Sequence, residues 1–532
     1  MRMAIPVQVL LLLLLAGGAA TAAIDPAPNR DPDPVTVAIA ELLNGREPLV
    51  VDGRRLDVRA LRQVYEPRGY RPVWGGGGNA PARGKDVGDA LVHARTHGLD
   101  PAAYHQQAIA RRAAGGRPED RAACDVLASD GVMRLVSNLR LGAVRPGTVD
   151  KDAAVDARPV DQQALVLEAA AAADLTAFLD GLAPQTATYR GLVEALARYR
   201  EIEGSGGWPK VPVTGTPVHP GATDPAVVAV RARLAATGEL GEADAGPAEP
   251  ERYDVALAAA VKEFQARHGL AADGVLGGPT RAALAMPVGD RIRQLVVNLE
   301  RARWFPDEGV RRYVAVNVPS FELVMVENGS TVLKMPVVVG RKDRRTPLLA
   351  AHITELIFNP SWTVPPTIMR VDFLPKMRQN ESYVSRRGLQ FVGSALRQPP
   401  GPKNPLGRVK FLMPNEFSVY LHDTTAKGLM RQPRRALSSG CVRLGDAFGL
   451  VNHLLAGDPR WSPAAQKRFL AGWTTRYLAL REPVPVYLRY QTAWRDDAGD
   501  VQFREDLYGR DAALARALAL EPAAPTPATP RA

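Results

Sequence analysis

The chain has 532 residues, of which 46% are hydrophobic and 23% charged, a length that argues for about three domains of ordinary size. Its 67 lysines and arginines outweigh 56 acidic residues, for a net charge of +11, a mildly basic balance suited to an acidic surface. The absence of an aromatic-basic binding motif, together with the export signal read below, argues against nucleic acid as the partner.

At the N-terminus, Arg2 precedes an apolar run from Val7 to Leu15 and then the small residues Ala16 to Ala23. These are the charged, hydrophobic and cleavable parts of a secretory signal, expected over residues 1–22. The apolar core is shorter than the ~20 residues of a spanning helix, and no cysteine follows it to carry a lipid. Residues 36–205 then read as a helical domain, with Leu61, Val64 and Tyr65, and Leu91, Ala94 and Arg95, at helical spacing. Cys124, within RAACDVLASDGVMRLV, is expected to be a buried helical residue. The Gly75 to Gly78 run lacks the Lys-Ser/Thr pair and the preceding strand of a phosphate loop, which makes it a turn.

A Pro/Gly-rich linker, Gly204 to Gly221, leads into a short helical module at 222–288. Val227, Val230 and Leu234 share one helical face, Leu257, Val261 and Phe264 another, and Asp273-Gly274-Val275-Leu276-Gly277 forms a turn before Pro279. The amphipathic stretch marked by Ile292, Leu295, Val296, Leu299 and Ala302 is assigned back to the helical domain over 289–306, which makes the module an insertion.

From Arg312 the hydrophobic period changes to two. Tyr313 to Val318 and Phe321 to Val326 read as strands, and Asn328-Gly329 is a hairpin turn. Between Val371 and Pro405 the pattern becomes helical and proline-rich, with Phe373, Met377 and Tyr383 among charges. Further on, Phe417, Val419 and Leu421 alternate with Ser418, Tyr420 and His422, so a strand there buries the first set and presents Tyr420 and His422 together. A loop then returns the chain to Ser438-Ser439-Gly440-Cys441-Val442-Arg443.

A cysteine alone is more often a small buried hydrophobe, and a histidine alone more often structural. Together the two residues reverse those odds, because a serine-rich, Gly-preceded, Arg-followed setting is a poor apolar core for Cys441. A thiol attacks as thiolate, and the imidazole of His422 with Arg431, Arg434, Arg435 and Arg443 would lower its pKa. Gly440 allows a close turn, so that amides around Cys441 can face a developing oxyanion. Tyr420 reads either as a hydrogen-bonding partner of the reacting groups or as cross-strand packing. Arg443 reads as a carboxylate clamp or as a structural ion pair. The remaining histidines, including His97, His105, His268, His352 and His453, form no close ligand spacing such as HExxH, so neither metal nor cofactor is implied. The Ala/Pro/Thr-rich tail at 520–532 is expected to be disordered.

The segment YLHDTTAKGLMRQPRRALSSGCVRL resembles the catalytic motif of the L,D-transpeptidases, bacterial enzymes that cross-link peptidoglycan through a cysteine. Val339-Gly340-Arg341 with Arg345-Thr346-Pro347, the run Phe358 to Pro366, Asn404 to Phe411 and Gln502 to Asp511 resemble the large periplasmic members. Arg68 to Trp74 and His97 to Pro101 resemble their helical scaffold domain, and VKEFQARHGLAADGVLGGPTRAAL resembles the three-helix peptidoglycan-binding repeat. Many members carry His where this chain has Ser439, and Gly or Ser where it has Asp423, which leaves a backbone carbonyl as the candidate group to orient His422.

The resemblance implies a multidomain α+β protein: helical scaffold, three-helix module, and a mostly β, sandwich-like catalytic domain at 311–515 whose 371–405 insertion is a lid. It implies Cys441 as nucleophile and His422 as base, with Gly440, Ser439, Tyr420, Arg443 and Asp423 around oxyanion and substrate. It further implies a periplasmic location and peptidoglycan stem peptides and glycan as partners, with cell-wall synthases as candidate partners and carbapenem β-lactams as covalent inhibitors. The expected reaction joins stems between their third residues through a thioester, releasing terminal D-Ala. Two rival readings stay open. One is a wall cysteine carboxypeptidase or hydrolase with water as acceptor, and the other is a non-catalytic peptidoglycan-binding protein.

Overall fold

The structure, a computed structural model, describes residues 33–45, 47–75, 83–155, 158–305 and 309–520. The signal reading, most of the Gly75 to Gly78 turn and the tail beyond Glu521 lie outside the described residues. No helix among the described residues is long and apolar enough to cross a membrane.

The N-terminal helical region is built around α1 (Pro118–Leu141), which is buried on nearly every side. Cys124 is 7% exposed there, with its sulfur toward the Ile109 carbonyl. Asp125 is buried on the same helix and is satisfied by the Tyr65 hydroxyl at 2.6 Å and by the amides of Val73 and Trp74 at 2.9 and 2.8 Å, as a buried carboxyl requires. Helix α2 (Ala187–Gly204), capped by Thr186, closes the region.

Three further helices, α3 (Ala226–Thr237), α4 (Val255–Arg267) and α5 (Gly278–Leu284), enclose a separate small core. Val227, Val230, Leu234, Leu257, Val261 and Phe264 fill it, so the helical periodicity read from sequence marks the packed faces. Gln265 braces the Asp273 turn at 2.9 Å. His268 stacks between Phe264 and Phe503, ring centres 3.8 and 5.4 Å away, which docks this unit on the late hairpin of 493–503.

Helix α6 (Val288–Trp304) is buried on two sides. Leu295, Val296 and Leu299 join the core of the helical region, whereas Val297 and Trp304 join that of the sheet. It therefore couples the two, and Asn298 secures the junction by exchanging hydrogen bonds with Thr492 at 2.8 and 2.9 Å.

The C-terminal region is a curled sheet. In chain order its strands are β1 (Arg312–Asn317), β2 (Glu322–Glu327), β3 (Ser330–Gly340), β4 (Leu348–Phe358), β5 (Val409–Leu412), β6 (Leu421–His422), β7 (Ala436–Ser438), β8 (Val442–Leu444) and β9 (Arg476–Arg489). The spatial order β5-β6-β8-β3-β2-β1-β9-β4 returns to β5, because Val409 to Leu412 pair with Phe358 to Glu355. The sheet therefore closes on itself. Ala153 and Ala154, from the helical region, extend β4 in parallel.

Two local expectations change. The 417–422 strand shortens to Leu421–His422, because the Asn415 side chain bonds both the amide and the carbonyl of Val419 in place of a neighbouring strand. The 371–405 insertion is helical only to Arg386. Gln390–Val392 and Ala395–Gln398 then form a hairpin that pairs with Trp362–Thr363. It has its own small core of Val364, Phe373, Leu389 and Leu396.

Candidate active site

The parallel pairing of β6 with β8 sets Leu421 opposite Val442 and His422 opposite Arg443. Leu421 and Val442 point into the sheet core. Alternation therefore sends Tyr420, His422, Cys441 and Arg443 to the other face. All four line one cavity of about 440 Å³, together with Ser439, Gly440, Trp362, Pro365 and Ile368 ahead of the inserted segment, and Pro405 at its end.

Cys441 is half-buried and free of any disulfide. Burial pushes its thiol up, while the Tyr420 backbone and hydroxyl, Lys410 and Arg443 pull it back. Tyr420 lines the cavity with Cys441, and burial is the main reason its phenol holds its proton strongly. His422 is 4% exposed, and its Nδ1 lies 2.5 Å from the carbonyl oxygen of Asp423. Burial, followed by the positive charge of Arg443, pulls this imidazole down to about 3. The site thus holds a neutral thiol beside a neutral imidazole.

Gly440 sits at φ +113°, a conformation that favours glycine. Its amide bonds the Ser438 hydroxyl at 3.2 Å, and its carbonyl accepts from the Thr346 hydroxyl at 2.8 Å. The expected oxyanion contact from this amide is therefore already engaged within the turn. Ser439 is exposed at the cavity and accepts from Arg344 Nη1 at 3.1 Å. Asp423 offers His422 its backbone carbonyl, while its carboxylate turns away to Lys427 at 2.7 Å and the Arg408 amide at 2.8 Å. Arg443 is half-buried, its Nε makes no hydrogen bond among the described residues, and burial holds its pKa below the usual value.

Several contributors were not singled out as site residues by the sequence reading, although Thr346, Lys410 and Tyr508 lie within the runs that carry the resemblance. Thr346 is fully buried and joins the Gly340 amide to the Gly440 carbonyl. The Tyr508 hydroxyl donates to the Gly340 carbonyl. Asp152 reaches the cavity from the helical region, carried there by the short Ala153–Ala154 strand. Arg344 pairs in bidentate fashion with Asp372 of the inserted segment. Lys410 stands with its Nζ 3.8 Å from the Tyr420 ring centre. Of these, Lys410 carried a signal, since Val409 and Phe411 alternate with it; the others are joined only by tertiary contacts.

Among the described residues, one group has the composition of a metal site: His93, His97 and Asp180, with ligand atoms within 4.8 Å of one another. The histidine reading above passed over His93, one helical turn before His97. His97 Nε2 lies 2.9 Å from Asp180, and its Nδ1 meets the Tyr189 hydroxyl at 3.1 Å, an oxygen to which Arg303 donates. The Arg303 charge behind this cluster opposes a second cation, and the three side chains act as a hydrogen-bonded clasp between helical segments. A larger groove of about 730 Å³ runs past Tyr313, Asn317, Glu322 and Trp494, and its lining includes neither cysteine nor histidine.

Three stretches of the chain match models of known domains. Residues 59–196 match a model described as "Scaffold domain", residues 223–284 one described as "Putative peptidoglycan binding domain", and residues 311–461 one described as "L,D-transpeptidase catalytic domain". A protein of Haemophilus influenzae named "Putative L,D-transpeptidase" is 31% identical over 240 residues, 41% of this chain, and the match spans about half (48%) of that relative's length. Solved L,D-transpeptidase structures from Xylanimonas cellulosilytica and Stackebrandtia nassauensis are 18% and 16% identical. Each match covers 52% of this chain, against 99% and 97% of theirs, with TM-scores of 0.19 and 0.21. The chain is a multidomain protein that carries the L,D-transpeptidase catalytic domain together with a scaffold domain and a peptidoglycan-binding domain.

Proposed function

We propose that this chain is an exported peptidoglycan L,D-transpeptidase that forms links between the third residues of neighbouring stem peptides. The observation that carries the reading is the β6–β8 register, which sets Tyr420, His422, Cys441 and Arg443 on one face of one cavity. His422 Nε2 takes the Cys441 proton, and the sulfur attacks the amide carbonyl between the third and fourth residues of a donor stem. The C–N bond breaks, the proton passes from His422 to the departing amine, and D-Ala leaves. The thioester on Cys441 is then attacked by the amine of an acceptor stem's third residue, which gives its proton to His422. The thiol is regenerated as the new amide forms.

In this reading Tyr420 holds the sulfur, and Arg443 meets a stem carboxylate. Gly440 and Ser439 shape the nucleophile turn, and Asp423 orients His422 through its carbonyl. Residues 222–288 are the glycan-directed module inserted into the scaffold of 36–205 and 289–306, the catalytic domain spans 311–515, and 371–405 is its lid. Export rests on the composition of residues 1–22 and places the enzyme in the periplasm. The basic balance suits an acidic wall, and a carbapenem would acylate the same thiol.

The test is mass spectrometry of the mature chain, and of Cys441→Ala, with disaccharide-tetrapeptides. An adduct formed with loss of D-Ala that resolves into Cys441-dependent dimers linked through third residues is the expected result. Tripeptide alone would replace this reading with carboxypeptidase chemistry, and unchanged fragments without adduct would favour a binding protein.

A further inference from the structure

Lys410 enters the thiol site from a third strand. The antiparallel register of β5 with β6 sets Lys410 opposite His422 and Phe411 opposite Leu421. Cross-strand partners leave a sheet on the same face. Lys410 therefore shares the face of Tyr420, His422, Cys441 and Arg443, while Val409, Phe411 and Leu421 fill the core. Its Nζ stands 3.8 Å from the Tyr420 ring centre, a cation–π distance, and Tyr420 lines the cavity with Cys441. Lys410 is half-buried, and among the described residues no ion pair with a carboxylate is formed by it. Burial lowers its pKa, and Cys441 is the group that counters this.

Other charged and titratable groups also face the sulfur. His422 faces Cys441 from β6 as a neutral ring. Arg443 faces it from β8 as a second cation. On the loop after β3, Arg344 is engaged by Asp372, and Arg345 lines the cavity. Asp152 is the carboxylate among the cavity-lining residues, and Asp423 directs its own carboxylate to Lys427.

We propose that Lys410 is a positioning residue for the nucleophile: its ammonium, seated over the Tyr420 ring, stabilises the Cys441 thiolate that forms when His422 accepts the proton. No bond is made to Lys410, and its own proton stays in place. The inference rests on the reading of Cys441 as the nucleophile, yet it needs no peptidoglycan to be tested.

The experiment is the pH dependence of Cys441 carbamidomethylation by iodoacetamide in the full chain, followed on the Cys441 peptide so that Cys124 is resolved separately. Lys410→Met keeps an unbranched stem over Tyr420 and deletes the charge, and Lys410→Gln is a second neutral variant should the first fail to fold. Lys410→Arg restores the charge. The expected result is a midpoint about one pH unit higher in the neutral variants, about tenfold slower alkylation at pH 7, and recovery in Lys410→Arg. An unchanged profile in the neutral variants, or a loss that Lys410→Arg does not restore, overturns the proposal. Normal lysine-dependent alkylation in a protein that processes no stem peptide would instead count against the proposed function alone.

Discussion

His422 Nδ1 lies 2.5 Å from the carbonyl oxygen of Asp423. A carbonyl only accepts, so the ring proton sits on Nδ1 and the lone pair of Nε2 is left for the cavity. The residue after the histidine therefore orients it through its backbone, which explains how an aspartate is accommodated there: its carboxylate is employed elsewhere, on Lys427 and the Arg408 amide.

That arrangement fixes the expected pH dependence of activity. With burial and then the Arg443 charge pulling His422 down to about 3, the base is neutral throughout the range from pH 5 to 8. The reactive pair, a neutral thiol whose pKa burial raises and a neutral imidazole, is therefore populated across this whole range. The rate of adduct formation is expected to stay flat from pH 5 to 8, without an inflection near 6.5. A rise set by a group titrating at 6 to 7 would contradict it.

Stability carries the same signature with a definite sign. The folded-state pKa of His422 is lowered, so the unfolded chain takes up the proton first as pH falls. The stabilisation is complete above about pH 6.5, the ordinary histidine value, and is lost progressively as pH drops toward the folded value. Each such histidine contributes a slope of about 1.4 kcal/mol per pH unit between pH 6.5 and 5. His268 shares the direction, again through burial first. Urea unfolding at pH 7, 6 and 5 should therefore show a slope that is shallower, though not abolished, in His422→Gln.

The sequence made the thiol and imidazole legible because both sit in short local patterns: alternation around Leu421, and a Gly before Cys441 whose positive φ demands it. The small three-helix core was legible for the same reason, since each helix carries its own periodic face. What escaped is what registry and tertiary contact create. Lys410 reaches the site because β5 pairs with β6, and the closed sheet exists because β5 also pairs with β4. Asn415 ends a strand that alternation alone would have extended.

Thr346 tests how far the nucleophile turn depends on support from behind. Its hydroxyl takes the Gly340 amide at 2.9 Å and donates to the Gly440 carbonyl at 2.8 Å, fully buried. Thr346→Val keeps the shape and strands both groups, at a cost of about 1–3 kcal/mol for each buried polar group left unpaired. The expected outcome is a lower melting temperature and a slower Cys441 acylation in protein that remains folded. Thr346→Ser, which keeps the hydroxyl, should recover most of both.

Arg344 joins the inserted segment to the nucleophile turn, since it holds Asp372 with both terminal nitrogens and reaches Ser439 with one of them. Asp372 is bound below its usual range chiefly by that hydrogen-bonded pairing. Both side chains are partly shielded from solvent, so the pair should exceed an exposed ion pair, which contributes about 0–1 kcal/mol. The segment packs largely on its own small core of Val364, Phe373, Leu389 and Leu396, so loosening this tether should release it as a unit rather than unfold the sheet. Asp372→Asn is therefore expected to leave the global melting temperature nearly unchanged while hydrogen exchange across 366–398 rises. Acylation should weaken by about threefold to tenfold, mainly through KM, because the wall formed by Trp362, Pro365 and Ile368 moves with the segment. Equal exchange rates in the two proteins would mean that the hairpin pairing with Trp362–Thr363, not the ion pair, holds the segment over Cys441.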